Sequence, residues 1–393
     1  MQPESQEITA SSLCQGLGFS SEIVGFAHTP GTRVLFGPGV VNQAGNLIKK
    51  LGGSRVLLVT DSGILKAGHA DWVKGVLERE GLEVTIFSEV HENPTTEDVA
   101  ACVGVARQAG VDLIVGLGGG SSMDTGKGCN FILTNGGQMK DYWGIGKAEK
   151  AMLPFVAIPT TAGTGSECQS FALIADKETH MKMACGDKKA AASVAILDPE
   201  LTLTQPALVT AHTGIDAITH AVETAVTRKQ TEVSVEYSRL AFALLDRGFG
   251  EVVRDPNSLE ARARMQLGAA YAGTAIENSM LGAAHSAANP LTAHFDLVHG
   301  DAVGVMMPHV VRLNRSGDAG AAASYAALYD GDLAERLESH LALAGVKPRL
   351  SDYGVSEGDL PMLAAEAAEQ WTAQFNPVPV DAAAFETLYR TVL

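Results

Sequence analysis

The first half of the chain alternates short β-branched runs with helical stretches, and no other feature limits its fold so tightly. "RVLLVT" (55–60), "EVTIF" (83–87), "DLIVGL" (112–117) and "PFVAI" (154–158) read as strands. Between them, "WVKGVLEREG" and "TTEDVAACVGVARQAG" carry helical periodicity, the second opened by a threonine cap. Strands alternating with helices at this spacing predict βαβ units and a parallel sheet covered on both faces. After "SVAILDPELTLTQP" (193–206) the pattern changes to Ala- and Leu-rich helical periodicity, as in "VSVEYSRLAFALLDRGF", with no convincing strand. The 393 residues leave room for two domains at a prior of about 150 residues each. The expected architecture is an α/β domain with a parallel sheet over 1–204, whose residues 1–25 form a polar extension, followed by an all-helical domain over 205–393.

The stretch "IVGLGGGSSMDTGKG" (114–128) runs one of these strands into a glycine-rich turn and a helix beginning near Ser121. Two phosphate signatures fail on it. A P-loop with Gly126 and Lys127 in place needs glycine at 121 and a hydroxyl at 128, where the chain has Ser121 and Gly128. The Rossmann pattern G-x-G-x-x-G, started at Gly116 and Gly118, meets Ser121 at its third glycine. The underlying physics survives: glycines let a backbone approach an anion, and a helix start offers N–H groups and the positive end of its dipole. An anion site and a plain structural turn both satisfy this local sequence.

A second loop, "IPTTAGTGSE" (158–167), follows another strand and sets Thr160, Thr161, Thr164 and Ser166 among glycines. Two such loops at the carboxyl ends of parallel strands can line one crevice, where open α/β sheets bind ligands. Asp61 closes the strand "VLLVTD" and has two readings. It accepts both hydroxyls of an adenosine ribose, or it caps the helix that follows.

In the helical half, "TGIDAITHAVE" places Asp216 and His220 four residues apart, on one helix face and close enough to share a metal, although such pairs also arise by chance. His285 and His299 lie in "AAHSAANPLTAHFDLVHGDAVG", where Pro290 is expected to break any continuous helix between them. One aspartate and three histidines form an oxygen and nitrogen donor set suited to Fe(II) or Zn(II) and too soft for magnesium. His28, His69, His91, His180, His212, His309 and His340 sit singly, so surface or core roles are their default.

Composition excludes several classes. A net charge of −16, from 45 acidic against 29 basic residues, argues against a nucleic-acid partner, which needs a basic stripe to displace counterions. No window reaches the ~18 uninterrupted apolar residues of a membrane span. The start, "MQPESQEITASSLCQG", has neither the basic nor the apolar region of a secretory signal. Cys14, Cys102, Cys129, Cys168 and Cys185 are scattered and never form CxxC, which suits reduced thiols in a cytoplasm.

"GLGGGSSMDTGK", "IPTTAGTGSE", "GIDAITHAVE" and the closing "HG" at 299–300 together resemble the iron-containing (group III) alcohol dehydrogenase family, in that family's order and over most of the chain. The resemblance implies an N-terminal NAD-binding α/β domain, a C-terminal helical metal-binding domain, and hydride transfer between a small alcohol or aldehyde and NAD. It implies metal ligation by Asp216, His220, His285 and His299, with Fe(II) as the ion and Zn(II) as the alternative. It implies pyrophosphate contacts from Gly119, Gly120 and Ser121 with Asp124 nearby, and cofactor contacts from Thr160, Thr161, Thr164 and Ser166. Asp61 matches the group facing the adenosine ribose, and Lys182, in "HMKMACGD", matches a ribose-contacting lysine. A cytoplasmic homo-oligomer, a dimer, is the corresponding expectation.

One position departs from the family pattern. Members that oxidise small alcohols usually carry a further histidine four residues after the third ligand, and this chain has Asn289 there. An amide can hydrogen-bond substrate but cannot relay a proton, so either substrate preference differs or protons leave by another group. His294 is one candidate, with a packing or surface role as its alternative. Rival functions are a dehydroquinate-synthase-like or glycerol-dehydrogenase-like NAD and metal enzyme, and a non-catalytic metal- or nucleotide-binding descendant. The first would need several Lys or Arg residues for a phosphate-bearing substrate, and the segments around the metal motifs are poor in them.

Overall fold

The computed structural model describes residues 31–178 and 181–393. The extension at 1–25, Cys14, His28 and His180 lie outside the described residues. The chain divides into two compact units, one of the described residues up to Thr161 with Ser166–Thr204, the other of Ala162–Gly165 with Gln205–Leu393.

The first unit carries β1 (Arg33–Phe36), β2 (Arg55–Asp61), β3 (Glu83–Val90), β4 (Leu113–Gly118), β5 (Gly144–Ile145), β6 (Phe155–Pro159), β7 (Phe171–Ala175), β8 (Lys182–Gly186) and β9 (Val194–Leu197). Its main helices are α1 (Ala44–Lys50), α2 (Ser62–Lys66), α3 (His69–Arg79), α4 (Thr96–Ala109) and α5 (Gly120–Asn135). Six strands form one sheet in the order β1-β9-β6-β4-β2-β3, and every pairing in it is parallel. β4, β6 and β9 are buried along their whole length, which explains their unbroken apolar sequences. Thr95 caps α4 as expected, in a reciprocal box with Asp98.

The path through this sheet creates a crevice. From β2 the chain moves outward to β3, returns across β2 to β4, and then continues the other way to β6 and β9. The winding therefore reverses between the carboxyl ends of β2 and β4, where Asp61 and Gly118 stand. Beside the parallel sheet lies a second, mixed one that periodicity did not predict, ordered β5-β8-β7 with β7 antiparallel to β8. In "FALIA" only Ala172 and Ile174 are fully buried, so β7 does alternate. Five residues are too few for that period to stand out in the sequence.

The second unit is helical: α6 (Ala207–Thr224), α7 (Glu232–Arg254), α8 (Leu259–Glu277), α9 (Ala283–Phe295), α10 (His299–Gly317), α11 (Ala319–Leu328), α12 (Leu333–Ala344), α13 (Leu360–Glu369) and α14 (Ala382–Val392). α8 is buried on every side from Ala261 to Ile276, so it is the core helix of this unit. Its Gly273 meets the backbone of Gly165 so closely that a Cβ would overlap it. Among the described residues no helix is long and apolar enough to cross a membrane.

Pro290 corrects one expectation. It does not break the helix but lies inside α9, which continues to Phe295. Proline in a helix interior removes one N–H bond, here to the Ser286 carbonyl, and that loss alone does not end a helix whose face is buried. The break comes at Asp296, which takes a left-handed φ of 52° and lets α10 start at His299.

Candidate functional site

Three helices of the second unit bring four ligand-type side chains together. α6 presents Asp216 and His220 one turn apart, α9 carries His285 in its first turn, and α10 begins at His299. The Nε2 atoms of His220, His285 and His299 lie 3.3, 3.5 and 3.9 Å from one oxygen, Asp216 Oδ1. With metal–ligand bonds of about 2.0–2.2 Å, the edge of a tetrahedral site measures about 3.3–3.6 Å, so Asp216, His220 and His285 are spaced to hold one small ion, while His299, at 3.9 Å, stands slightly farther out. Asp216, His220 and His285 are buried, whereas the His299 side chain is 34% exposed. Asp216 Oδ1 and His285 Nε2 have no hydrogen-bond partner among the described residues. Buried polar atoms are rarely left so, and a cation between them satisfies both.

The electrostatics agree with that fit. Burial alone would raise the Asp216 carboxyl, but His220, His285 and His299 hold it well below the carboxylate range. Burial lowers the His220 imidazole despite Asp216. Burial also opposes the charge of His285, yet Glu223 and Asp216 push it up to about 9.

Glu223 closes the motif "GIDAITHAVE" but was assigned no role by it. It is buried, and its Oε2 accepts the His285 Nδ1–H at 2.5 Å. It stands three residues after His220 and seven after Asp216, on the same helix face, and that periodicity was the available signal. Gly300, in the closing "HG", likewise has a structural part that the motif did not state. A Cβ there would overlap the His212 carbonyl of α6, so the glycine lets the start of α10 approach and delivers His299.

The two remaining candidates separate. Asn289, one turn after His285 on α9, is half-buried and donates to Gln370 Oε1 at 3.0 Å. His294 is nine residues from His285, about 180° around the helix. It pairs instead with Glu366 at 2.8 Å, with both side chains exposed. The structure does not bring it to the cluster.

In the first unit, Asp61, the glycine loop, Thr160 and Thr161 gather at the reversal between β2 and β4. α5 begins at Gly120 and has no side-chain cap on its first N–H groups. Gly118 has φ +146°, and a Cβ on it would overlap the Ser122 hydroxyl, so this glycine is required by the turn itself. Gly119 differs: its φ is −83°, and an added Cβ would meet Thr161 at an ordinary 3.5 Å. The hydroxyls of Ser122 and Thr160 are buried without a partner among the described residues. An uncapped helix start with unused hydroxyls beside it fits a pyrophosphate. Asp61 Oδ1 accepts the N–H groups of Gly63 and Ile64 at 2.8 and 3.0 Å, capping α2. Its Oδ2 lies 3.4 Å from where a Gly118 Cβ would be, turned toward the loop.

Lys127 is fully buried, and its ammonium is bonded inside the unit. Its Nζ donates to the Ser166 carbonyl at 2.6 Å, the Ser166 hydroxyl at 2.9 Å and the Phe171 carbonyl at 3.0 Å. The Ser166 hydroxyl in turn donates to Asp124 Oδ1 at 2.9 Å. Burial raises the Asp124 carboxyl, with Lys127, Ser166 and Lys182 opposing. Asp124 and Ser166 thus lie inside the unit, bracing the second loop. Lys182 is exposed at the start of β8, Thr161 and Thr164 are half-buried, and Thr164 belongs to the second unit.

The difference between Gly118 and Gly119 gives a clean test. Gly119→Val is expected to fold normally and to raise the KM for NAD about tenfold or more while changing that for alcohol little, as steady-state kinetics would measure. The opposite pattern would make the loop a turn only.

Comparisons with known proteins point one way. Residues 31–199 match the family model for iron-containing alcohol dehydrogenase, and residues 210–393 that for the Fe-containing alcohol dehydrogenase family, C-terminal. The chain is 35% identical over 355 residues to the NAD-dependent methanol dehydrogenase of Bacillus methanolicus, covering 87% of this chain and 93% of that one. The crystal structure of a 1,3-propanediol oxidoreductase superposes with a TM-score of 0.86 at 33% identity, over 92% of this chain and 97% of that one. A sulfoacetaldehyde reductase from Bifidobacterium kashiwanohense, solved in complex with NAD+, gives 0.85 at 26% identity, over 94% and 99%.

Proposed function

This chain belongs to the iron-containing alcohol dehydrogenase family and is an enzyme of that type, an NAD-linked alcohol dehydrogenase; from that premise we propose how its own residues divide the work. Asp216, His220, His285 and His299 hold one divalent ion, Fe(II) with Zn(II) as the alternative. Residues 1–204 bind NAD, and residues 205–393 bind the metal. The substrate is a small alcohol or aldehyde. The observation that carries this reading is the convergence of three imidazoles on one buried carboxylate oxygen, with Asp216 Oδ1 and His285 Nε2 left unpartnered.

A divalent ion held there would supply Lewis acidity toward an alcohol or carbonyl oxygen, and bound NAD would supply the hydride acceptor or donor. The rest falls to the protein. Asp216 contributes the one formal negative charge among the four donors. His299, as the exposed ligand, marks the side from which substrate reaches the cluster. Asn289 orients a substrate oxygen through its amide and moves no proton. In the first unit, the N–H groups at Gly119, Gly120 and Ser121 hold the pyrophosphate, and Asp61 holds the adenosine ribose. Thr160 and Thr161 line the cofactor path, while Asp124, Ser166 and Lys127 brace it, and the family resemblance adds Thr164 to the cofactor contacts. Lys182 supports the ribose contact from the surface of β8.

The four described cysteines are free and buried, which supports a reducing cytoplasm. The enzyme works there as a homodimer, to be checked by light scattering. Its activity is tested by reduced-nicotinamide absorbance across alcohols and aldehydes, with NAD and NADP, on protein reconstituted separately with Fe(II) and Zn(II). Turnover with NAD is expected with at least one of the two ions. No turnover with any substrate would leave a binding protein.

A further inference from the structure

α9 carries His285, yet it has no side-chain cap of its own: its N-cap is Gly282. The first two N–H groups of the helix are instead met by side chains from elsewhere in the unit. Ala283 N–H donates to Asn376 Oδ1 at 3.3 Å, and Ala284 N–H donates to Glu223 Oε1 at 2.7 Å. Gly282 makes room for both, because its Cβ would stand 3.1 Å from the Asn376 oxygen and 3.2 Å from the Glu223 oxygen. The other oxygen of Glu223 accepts the His285 Nδ1–H at 2.5 Å. Each carboxylate oxygen therefore has its own task, one on the backbone that carries the ligand and one on the ligand's ring.

The support continues behind Glu223 and Asn376. Asn376 Nδ2 donates to Asn314 Oδ1 at 2.8 Å and to the Val378 carbonyl at 2.7 Å, and Asn314 Nδ2 donates to the Tyr325 hydroxyl at 3.2 Å. Glu223, Asn314, Tyr325 and Asn376 are all buried. This network reaches from the metal cluster to the segment between α13 and α14.

We infer that Glu223 is a positioning residue of the metal site, fixing the ring and the backbone of His285 at once; this rests on the reading that Asp216, His220, His285 and His299 bind the ion. A histidine that donates its Nδ1–H to a carboxylate keeps Nε2 as the metal-facing atom and gains basicity there. The negative charge also sits at the positive end of α9, where it is favoured. Replacing Glu223 by glutamine preserves shape but confronts a donor with a donor. If the amide NH2 faces His285, the ring must invert its tautomer and place a hydrogen on the metal-facing nitrogen. If the NH2 faces Ala284, it opposes that N–H.

The test titrates metal-free wild type, Glu223→Gln and Asp216→Ala with Co(II) against a chelator, and records the visible bands of the bound ion and the thermal midpoint of the metal-free protein. Glu223→Gln is expected to bind Co(II) 10–100-fold more weakly, with altered bands. A lowered thermal midpoint with wild-type affinity and bands would make Glu223 a helix cap only and overturn the inference, while loss of metal in Asp216→Ala would show the site itself to stand. Wild-type affinity in Asp216→Ala would refute the site, and the inference with it. Should Glu223→Gln not fold, the Zn(II)-loaded wild type labelled with 15N-histidine decides. A downfield, exchange-protected Nδ1–H on His285 is expected, and its absence overturns the inference.

Discussion

A His299→Ala protein is expected to lose two to three orders of magnitude in metal affinity, and nearly all turnover, while binding NAD as before. Structural zinc sites with four protein ligands bind with about 10–16 kcal/mol, so one ligand accounts for about 2.5–4 kcal/mol, or about two to three factors of ten. His299 is the right first target because its side chain is 34% exposed and its replacement leaves Glu223 with its His285 partner. The fold should therefore survive. His285→Ala should lose metal as severely and also destabilise the metal-free protein, because it strips a buried carboxylate of its imidazole. Metal content by mass spectrometry, thermal unfolding with and without chelator, and NAD binding by fluorescence measure the three effects separately. In wild type, chelation should lower the unfolding midpoint, since an ion that binds only the folded state stabilises it. In His299→Ala it should do so hardly at all. Full activity in metal-depleted His299→Ala would end the assignment.

The part of this site legible in the sequence is the part that local geometry decides. Asp216 and His220 share a face because α6 is regular, and no tertiary knowledge is needed to see it. Glu223 lies on that same face, yet a glutamate near the end of a helix has an ordinary explanation as a solvated charge. His285 and His299 stand on separate helices, so their meeting depends on a turn. The proline that catches the eye at 290 continues its helix, while Asp296, which nothing in the local sequence marks, makes the left-handed turn. Lys127 shows the limit from the other side. Its type and its place after a glycine loop suggest a phosphate, yet its ammonium is used up by two carbonyls and a hydroxyl inside the unit. Residue type supplies donors and acceptors, and packing decides which way they point. The parallel sheet was legible because β4, β6 and β9 are buried on both faces; the short β7 and β8 strands gave no comparable run.

Asp61→Gly is expected to shift the ratio of catalytic efficiencies with NAD and NADP toward NADP by one to two orders of magnitude, about 1.4–3 kcal/mol. Sequence alone left a choice between a helix cap and a ribose contact, and the structure gives each carboxylate oxygen a separate direction. Oδ1 caps α2 through Gly63 and Ile64, and Oδ2 turns to the glycine loop at the reversal of the sheet. The two roles are therefore compatible, and their contributions can be separated. Glycine is itself a fair cap, so the cap component of Asp61→Gly should cost only about a few tenths of a kcal/mol. Asp61→Asn goes further, because its amide oxygen can keep the cap while the charge is gone. If the carboxylate accepts the ribose hydroxyls and repels a 2′-phosphate, both variants weaken NAD and relieve NADP. If the carboxylate only caps, neither changes the ratio. Kinetics with both cofactors at saturating alcohol measure this directly. A ratio that stays within about twofold of wild type in both variants, about 0.4 kcal/mol, would leave Asp61 a helix cap and move the choice of cofactor elsewhere on the loop.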